Sequence, residues 1–461
     1  MKICKIYIKG FQQFQDVEMD FTNPDTGEPV DKVCFIGSNG TGKSTLIDFI
    51  DDYFSNRGYL NTKYSSGSFY LKLFNKGDYY NLIYLGCSGY YWAHDSSMES
   101  DFINLDIDSF SKKYNLINHG SRVSPSMTYV EAQNKDSVKK FQNEMSFRDL
   151  PTSLLVYSPA ESIINSYIDL QDVPETNVDE ALQLKKGFPS HAKISVSNVN
   201  DFWKILLYNI RKREEERDEF ENKPENLTRT KQELVNDFDS INPKILDDLA
   251  EVWNIILHKA GLYFDSKEAN RPYQLTDNLK AYIKFKSTNQ IVPYRELSTG
   301  IRNFIFRIGH IFSLFYNRVI DKGILLVDEP ENSLYPDFLF ELVEIYQEII
   351  KDKRGQNNTQ MFFATHNPII AAQFKPYERI ILDWNEDGSV SARKGISPEG
   401  DDPNDILSND FELKNLMGPE GRKMWEQYIS LKKKLIKALD DKEKSRLIHE
   451  IEKIGSLYNF S

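Results

Sequence analysis

"GSNGTGKST", Gly37 to Thr45, decides the fold. It fits G-x-x-x-x-G-K-[ST], in which glycines let backbone N–H groups turn inward around phosphate oxygens. The flanks agree. "KVCFI", Lys32 to Ile36, is an apolar run that stops at glycine, so it reads as a buried strand feeding a loop. Leu46, Ile47, Phe49, Ile50 and Phe54 then recur at helical spacing. Strand, glycine loop and helix is the required context, because the helix N-terminus adds its positive end to the cradle. Gly37, Asn39, Gly40, Thr41, Gly42, Lys43, Ser44 and Thr45 are therefore the candidate phosphate-binding residues. Lys43 would reach the β- and γ-phosphates of a nucleoside triphosphate such as ATP, and the Ser44 hydroxyl would ligate Mg²⁺.

Two further apolar runs end in polar residues. "GILLVDEP", Gly323 to Pro330, delivers Asp328 to hold the Mg²⁺ shell and Glu329 to orient or deprotonate water. "QMFFATHNP", Gln360 to Pro368, delivers His366, whose imidazole can bond a γ-phosphate oxygen. Such positions at the carboxyl ends of parallel strands are where ligands bind. His94, His119, His191, His258, His310 and His449 have no comparable setting. Strands alternating with helical stretches predict an α/β fold with a mainly parallel sheet. Between the phosphate loop and Asp328 lies "LSTG", Leu297 to Gly300, before Ile301, Phe304, Ile305 and Ile308. Ser298 and Gly300 are candidates for a second anion site at a helix N-terminus, although alone they read as an ordinary helix cap.

The 461 residues are 40% apolar and 13% aromatic, enough for sizeable cores, and carry a net charge of −12. A strongly basic chain would have pointed to nucleic acid; this one leaves DNA binding unsupported but open through a local groove. The three cysteines form no C-x-x-C pair and read as buried hydrophobes in a reducing compartment. No apolar run is long enough for a signal peptide core or a membrane span, so a cytoplasmic protein is expected.

Four segments are expected. Residues 1–198 hold the phosphate loop and an antiparallel β region, with "FYLKLF" and "YYNLIYLG" flanking "NKGD" as a hairpin. Within it, 93–150 reads as polar and irregular, and "SLLVYS", Ser153 to Ser158, as a strand. Residues 199–264 read as a helical hairpin insertion broken at Pro224, with arms on the order of 30 Å for about 20 residues. Residues 265–400 carry the remaining motifs. Residues 401–461 are helical, with Met424, Tyr428, Leu431, Leu435 and Leu439 on one stripe and Leu447, Ile451, Ile454 and Tyr458 on another.

The order of the motifs resembles an ABC-type ATPase head, closest to the SMC, RecF and OLD branch of P-loop NTPases. Walker A is followed by LSTG, by Walker B running into "DEPENSLYP", and by a switch histidine; "IYIKGFQQFQDVEMDF", Ile6 to Phe21, is similar to that branch's opening strand and turn. The resemblance covers 1–60 and 285–385 well and the middle loosely. It implies that ATP bridges Lys43, Ser44, Asp328, Glu329 and His366 of one chain to Ser298 and Gly300 of another, hence a homo-oligomer, a dimer at least and up to a hexamer. The chain departs from the pattern at Gln12 and Gln13, where a basic residue usually follows the Phe, at Thr299, where Gly is commoner, and at Tyr335, where a His often stands. Gln133 and Gln142 are weak candidates for the Q-loop glutamine.

The short tail holds no Glu and D-x-D set of a TOPRIM nuclease, and "DID", Asp106 to Asp108, reads as a solvated loop. A stand-alone head of this kind is similar to the PtuA-type ATPases of Septu antiviral defence, with the AriA type of PARIS systems next. That likeness implies a separate HNH-type or TOPRIM-type nuclease effector and no membrane partner. The alternative is a RecF- or SMC-like repair ATPase that binds DNA; a transporter motor is disfavoured by "DEPENSLYP" and the opening strand.

Overall fold

Val33, Cys34, Phe35 and Ile36 are wholly buried, which requires helices or sheet on both faces of the strand that carries them. The computed structural model supplies both. It describes residues 1–55, 62–86, 89–93, 97–113, 147, 152–160, 189–194, 213, 215–242, 244–269, 283–293, 296–316, 318–413, 416–458 and 460. Contacts divide the chain into Met1–Gly400 and Asp401–Ser461.

In the first unit, β1 (Lys2–Phe11) and β2 (Phe14–Asp20) form a hairpin, and β3 (Lys32–Gly37) leads into helix α1 (Lys43–Ser55). Then come β4 (Ser68–Asn75), β5 (Asp78–Leu85), β6 (Gly89–Ala93), β7 (Ser153–Ser158), β8 (His191–Lys193), β9 (Leu262–Phe264), β10 (Ile283–Phe285), β11 (Lys322–Asp328), β12 (Thr359–Thr365), β13 (Arg379–Trp384) and β14 (Val390–Lys394). The antiparallel sheet runs β2-β1-β4-β5-β6 and the large sheet β14-β13-β3-β12-β11-β7-β8. In the latter all neighbours are parallel except β13 and β14. This is the expected α/β architecture with a mainly parallel sheet, and the carboxyl ends of β3, β12, β11 and β7 lie on one edge.

Helix α1 buries Leu46, Ile47, Phe49, Ile50, Tyr53 and Phe54 and shares one core with both sheets. Phe49 stacks on Phe69 of β4 with centroids 4.5 Å apart. Gln360 of β12 ties the sheets together: its Oε1 accepts from Ile3 N at 2.7 Å, and its Nε2 donates to Ile3 O at 3.0 Å and Val30 O at 2.9 Å. A buried amide satisfied on both ends fixes the register between layers.

The segment expected to be irregular contains two helices, α2 (Ser97–Asn104) and α3 (Ile107–Lys113). Phe102 of α2 packs against Tyr7 and Tyr70 of the antiparallel sheet, Met98 of the same helix is buried in that cluster, and Phe110 of α3 packs against Phe102. One step from Met98 to Phe102 and a lone Phe110 are too little to mark helices in a polar segment, so tertiary packing decides them. "DID" is no loop: Asp106 caps α3, accepting from Ser109 N at 2.8 Å.

The expected helical insertion contains α4 (Lys231–Ile241), opened by a Thr230–Glu233 capping box, and α5 (Ile245–Lys259). At 11 and 15 residues they are shorter than the expected arms, about 16 and 22 Å. Helix α5 packs on β9 and on α6 (Thr299–Phe315). Most of the expected first arm, and Gln133 and Gln142, lie outside the described residues.

In the second unit, α7 (Pro419–Lys437) and α8 (Asp441–Tyr458) face each other through Tyr428, Leu431, Leu447 and Ile454, flanked by Met424, Leu435, Ile451 and Tyr458. The two stripes therefore cover one another. Leu439 departs from the expected stripe: it sits between the helices and is 95% exposed.

Candidate functional site

The phosphate loop connects β3 to α1. Gly40 (φ +85°) and Gly42 (φ +99°) occupy left-handed conformations that favour glycine. At Gly42 space also demands it: a Cβ would lie 2.4 Å from Phe14 Cζ, so the β1–β2 turn presses on the loop. Gln13 Nε2 donates to Gly40 O at 3.3 Å, and Thr41 Oγ1 donates to Ser38 O at 2.9 Å. Asn39 and Ser44 are exposed and Thr45 is half-buried. Lys43 is buried and donates to Gly37 O at 2.7 Å and Ser38 O at 3.1 Å. Burial pulls its pKa down, opposed by the negative charges of Glu329, Asp328 and Glu331. Its ammonium thus rests on the loop's own carbonyls, within the field of three carboxylates.

Asp328 ends β11 opposite Ala364 of β12. Burial pushes its carboxyl up to about 6, against a hydrogen bond from Ser44 and with repulsion from Glu329. Asp328 Oδ1 is buried without a hydrogen-bond partner among the described residues. A buried carboxylate oxygen beside a serine hydroxyl is the donor set of a hard cation that keeps several waters and takes phosphate oxygens, which fits Mg²⁺. When bound, such an ion neutralises phosphate charge.

Glu329 has φ +43°, a left-handed conformation that costs a non-glycine residue roughly 1–2 kcal/mol. Its surroundings hold it there. Glu329 N donates to Ala364 O at 2.9 Å, Asn332 Nδ2 donates to Glu329 Oε2 at 2.9 Å, and Arg307 Nη1 donates to Glu329 O at 3.3 Å. Arg307, buried on α6, also donates through Nη2 to Pro159 O at 3.0 Å, bringing the segment after β7 to the site. His366 follows β12, its side chain 51% exposed, with Nδ1 3.7 Å from both Glu329 Oε1 and Glu331 Oε1. Glu331 accepts from Thr365 Oγ1 at 2.5 Å and His366 N at 3.3 Å, and burial raises its pKa.

The fold thus brings Lys43, Ser44, Asp328, Glu329 and His366 to one edge. LSTG meets this edge through the loop that follows Glu329. Ser298 is exposed and caps α6, accepting from Ile301 N at 3.3 Å. Gly300 is buried against Ser333, in the loop after Glu329. Among the described residues, these contacts of the motif run to its own helix and to that loop, not to Gly37–Thr45. Sequence reasoning missed Glu331 and Arg307, and marked Gln13 only as a departure from the resemblance. Glu331 was in plain view in "DEPEN"; Arg307, an arginine in an otherwise apolar run, was the other available signal.

No curated protein matches the chain. The sequence model of the family described as AAA ATPase domain matches residues 1–371, a span that includes Gly37–Thr45, Ser298, Asp328, Glu329 and His366. The chain belongs to the AAA ATPase domain family, and is an ATP-binding ATPase.

Proposed function

We propose that this ATPase works as a homo-oligomer in which ATP on the Gly37–Thr45 loop of one copy is closed over by Ser298 and Gly300 of another. The observation that carries this reading is that the contacts described for Ser298 and Gly300 run to their own helix and to the loop after Glu329, not to Gly37–Thr45. Lys43, Ser44, Asp328, Glu329 and His366 converge, while Ser298 stands exposed and Gly300 rests on the loop leaving Glu329. Lys43 and the loop N–H groups bind the phosphates, Ser44 and Asp328 hold Mg²⁺, Glu329 orients or deprotonates water, and His366 contacts the γ-phosphate. Binding energy then becomes assembly energy, and hydrolysis resets it. Ser298→Arg tests this: nucleotide binding should survive and hydrolysis should stop, whereas retained hydrolysis would leave Ser298 a helix cap only.

We further propose that the assembly controls a separate nuclease effector in antiviral defence, a PtuA-like role. Support comes from the motif order. A nuclease of HNH or TOPRIM type encoded beside this chain agrees with it; an adjacent permease contradicts it. The repair reading predicts DNA binding with a steep salt dependence, because neutralised phosphates release counterions.

A further inference from the structure

Trp384 ends β13, two residues beyond Leu382, which pairs with Gly37. Strand alternation puts both side chains on one face. Leu382 is buried beside the start of the phosphate loop, so Trp384 emerges next to the loop itself. A Cβ built on Gly40 would lie 3.6 Å from Trp384 Cζ2, while the residue remains 47% exposed.

The hairpin carrying it is anchored. Val390 N, at the start of β14, donates to Gln13 O at 2.9 Å, and Asn385 N donates to Ser389 O at 2.8 Å across the tip. Three elements therefore meet at this corner: the β1–β2 turn, the phosphate loop and the β13–β14 hairpin. Of their aromatic residues, Phe11, Phe14 and Phe35 are buried and Trp384 is exposed. The turn itself offers Gln12 and Gln13, and the Gln13 amide is engaged with Gly40 O. An indole on an anchored hairpin, half in water beside the phosphate loop, offers an aromatic face on which a base can stack.

We propose that Trp384 stacks on the purine base of the nucleotide whose phosphates lie in Gly37–Thr45. This rests on the reading that the loop binds a nucleoside triphosphate, and it adds how the base is held. Every base has a π-face, so the contact gives affinity without choosing adenine over guanine.

The test is calorimetric titration of the full chain, with Mg²⁺, by ATP, GTP and inorganic tripolyphosphate. Trp384→Ala should weaken ATP and GTP about tenfold or more and leave tripolyphosphate unchanged. Trp384→Phe should keep most of the affinity. Trp384→Met preserves apolar volume over Gly40 without a ring, and should lose affinity as Ala does. Unchanged ATP affinity in both ringless variants overturns the proposal, as does an equal loss of ATP and tripolyphosphate, which would make Trp384 a support for the loop. Wild-type chain that binds no ATP would instead sink the nucleotide reading itself.

Discussion

A Cβ placed on Gly300 would lie 1.9 Å from the carbonyl oxygen of Ser333. The first turn of α6 thus rests directly on the loop that leaves Glu329. At its other end that loop is bound through Asn332 to the Glu329 carboxylate at 2.9 Å. The LSTG turn and Glu329 are separated by one short, closely packed connection.

Gly300→Ala should therefore force one of two backbones to move. Overpacking of this kind costs about 1–3 kcal/mol. The thermal midpoint should fall, and ATP turnover should fall further than ATP affinity, since the phosphate loop is not touched. A variant with unchanged melting and turnover would show that this contact matters little.

Lys43→Ala removes a buried ammonium that donates to Gly37 O and Ser38 O of the phosphate loop. Charge-assisted hydrogen bonds of this kind make the expected loss of ATP affinity about a hundredfold, read by calorimetry. Near-native affinity would place the triphosphate elsewhere.

His310 makes the fold acid-sensitive. It lies buried on α6, and desolvation lowers its pKa from 6.5 to about 3. The unfolded chain therefore binds the proton more readily between these values. The contribution is fully present above pH 6.5 and is lost as pH falls toward about 3, with a slope of up to ~1.4 kcal/mol per pH unit. His310→Leu should flatten this part of the profile in urea melts at pH 7 and pH 5. An unaltered slope would assign the acid sensitivity to other groups.

The sequence revealed what is local and periodic. The Gly37–Thr45 loop, the strands ending at Asp328 and His366, and the two tail stripes are each written in one contiguous pattern. What it concealed depends on residues far apart in the chain. Gln360 reaches Ile3 and Val30; Glu331 is recognised by Thr365 and His366; Arg307 joins Glu329 to Pro159. Helices α2 and α3 dock because Phe102 meets Tyr7 and Tyr70 and Phe110 meets Phe102, a tertiary fact of which the single Met98–Phe102 step is the only local trace among the described residues. LSTG is the instructive middle case. Its cap was readable, but its seat on Ser333 was not, because a glycine gives no sign of which backbone it must admit.

The most direct test of the shared ATP site is light scattering of Glu329→Gln with Mg-ATP across protein concentration. The substitution keeps the side chain's shape and removes the base, so hydrolysis should fall by about 10²–10⁴-fold while ATP stays bound. Assembly that depends on bound ATP should then accumulate as a dimer or larger. A Glu329→Gln chain that binds ATP and remains a monomer at every concentration would contradict the account.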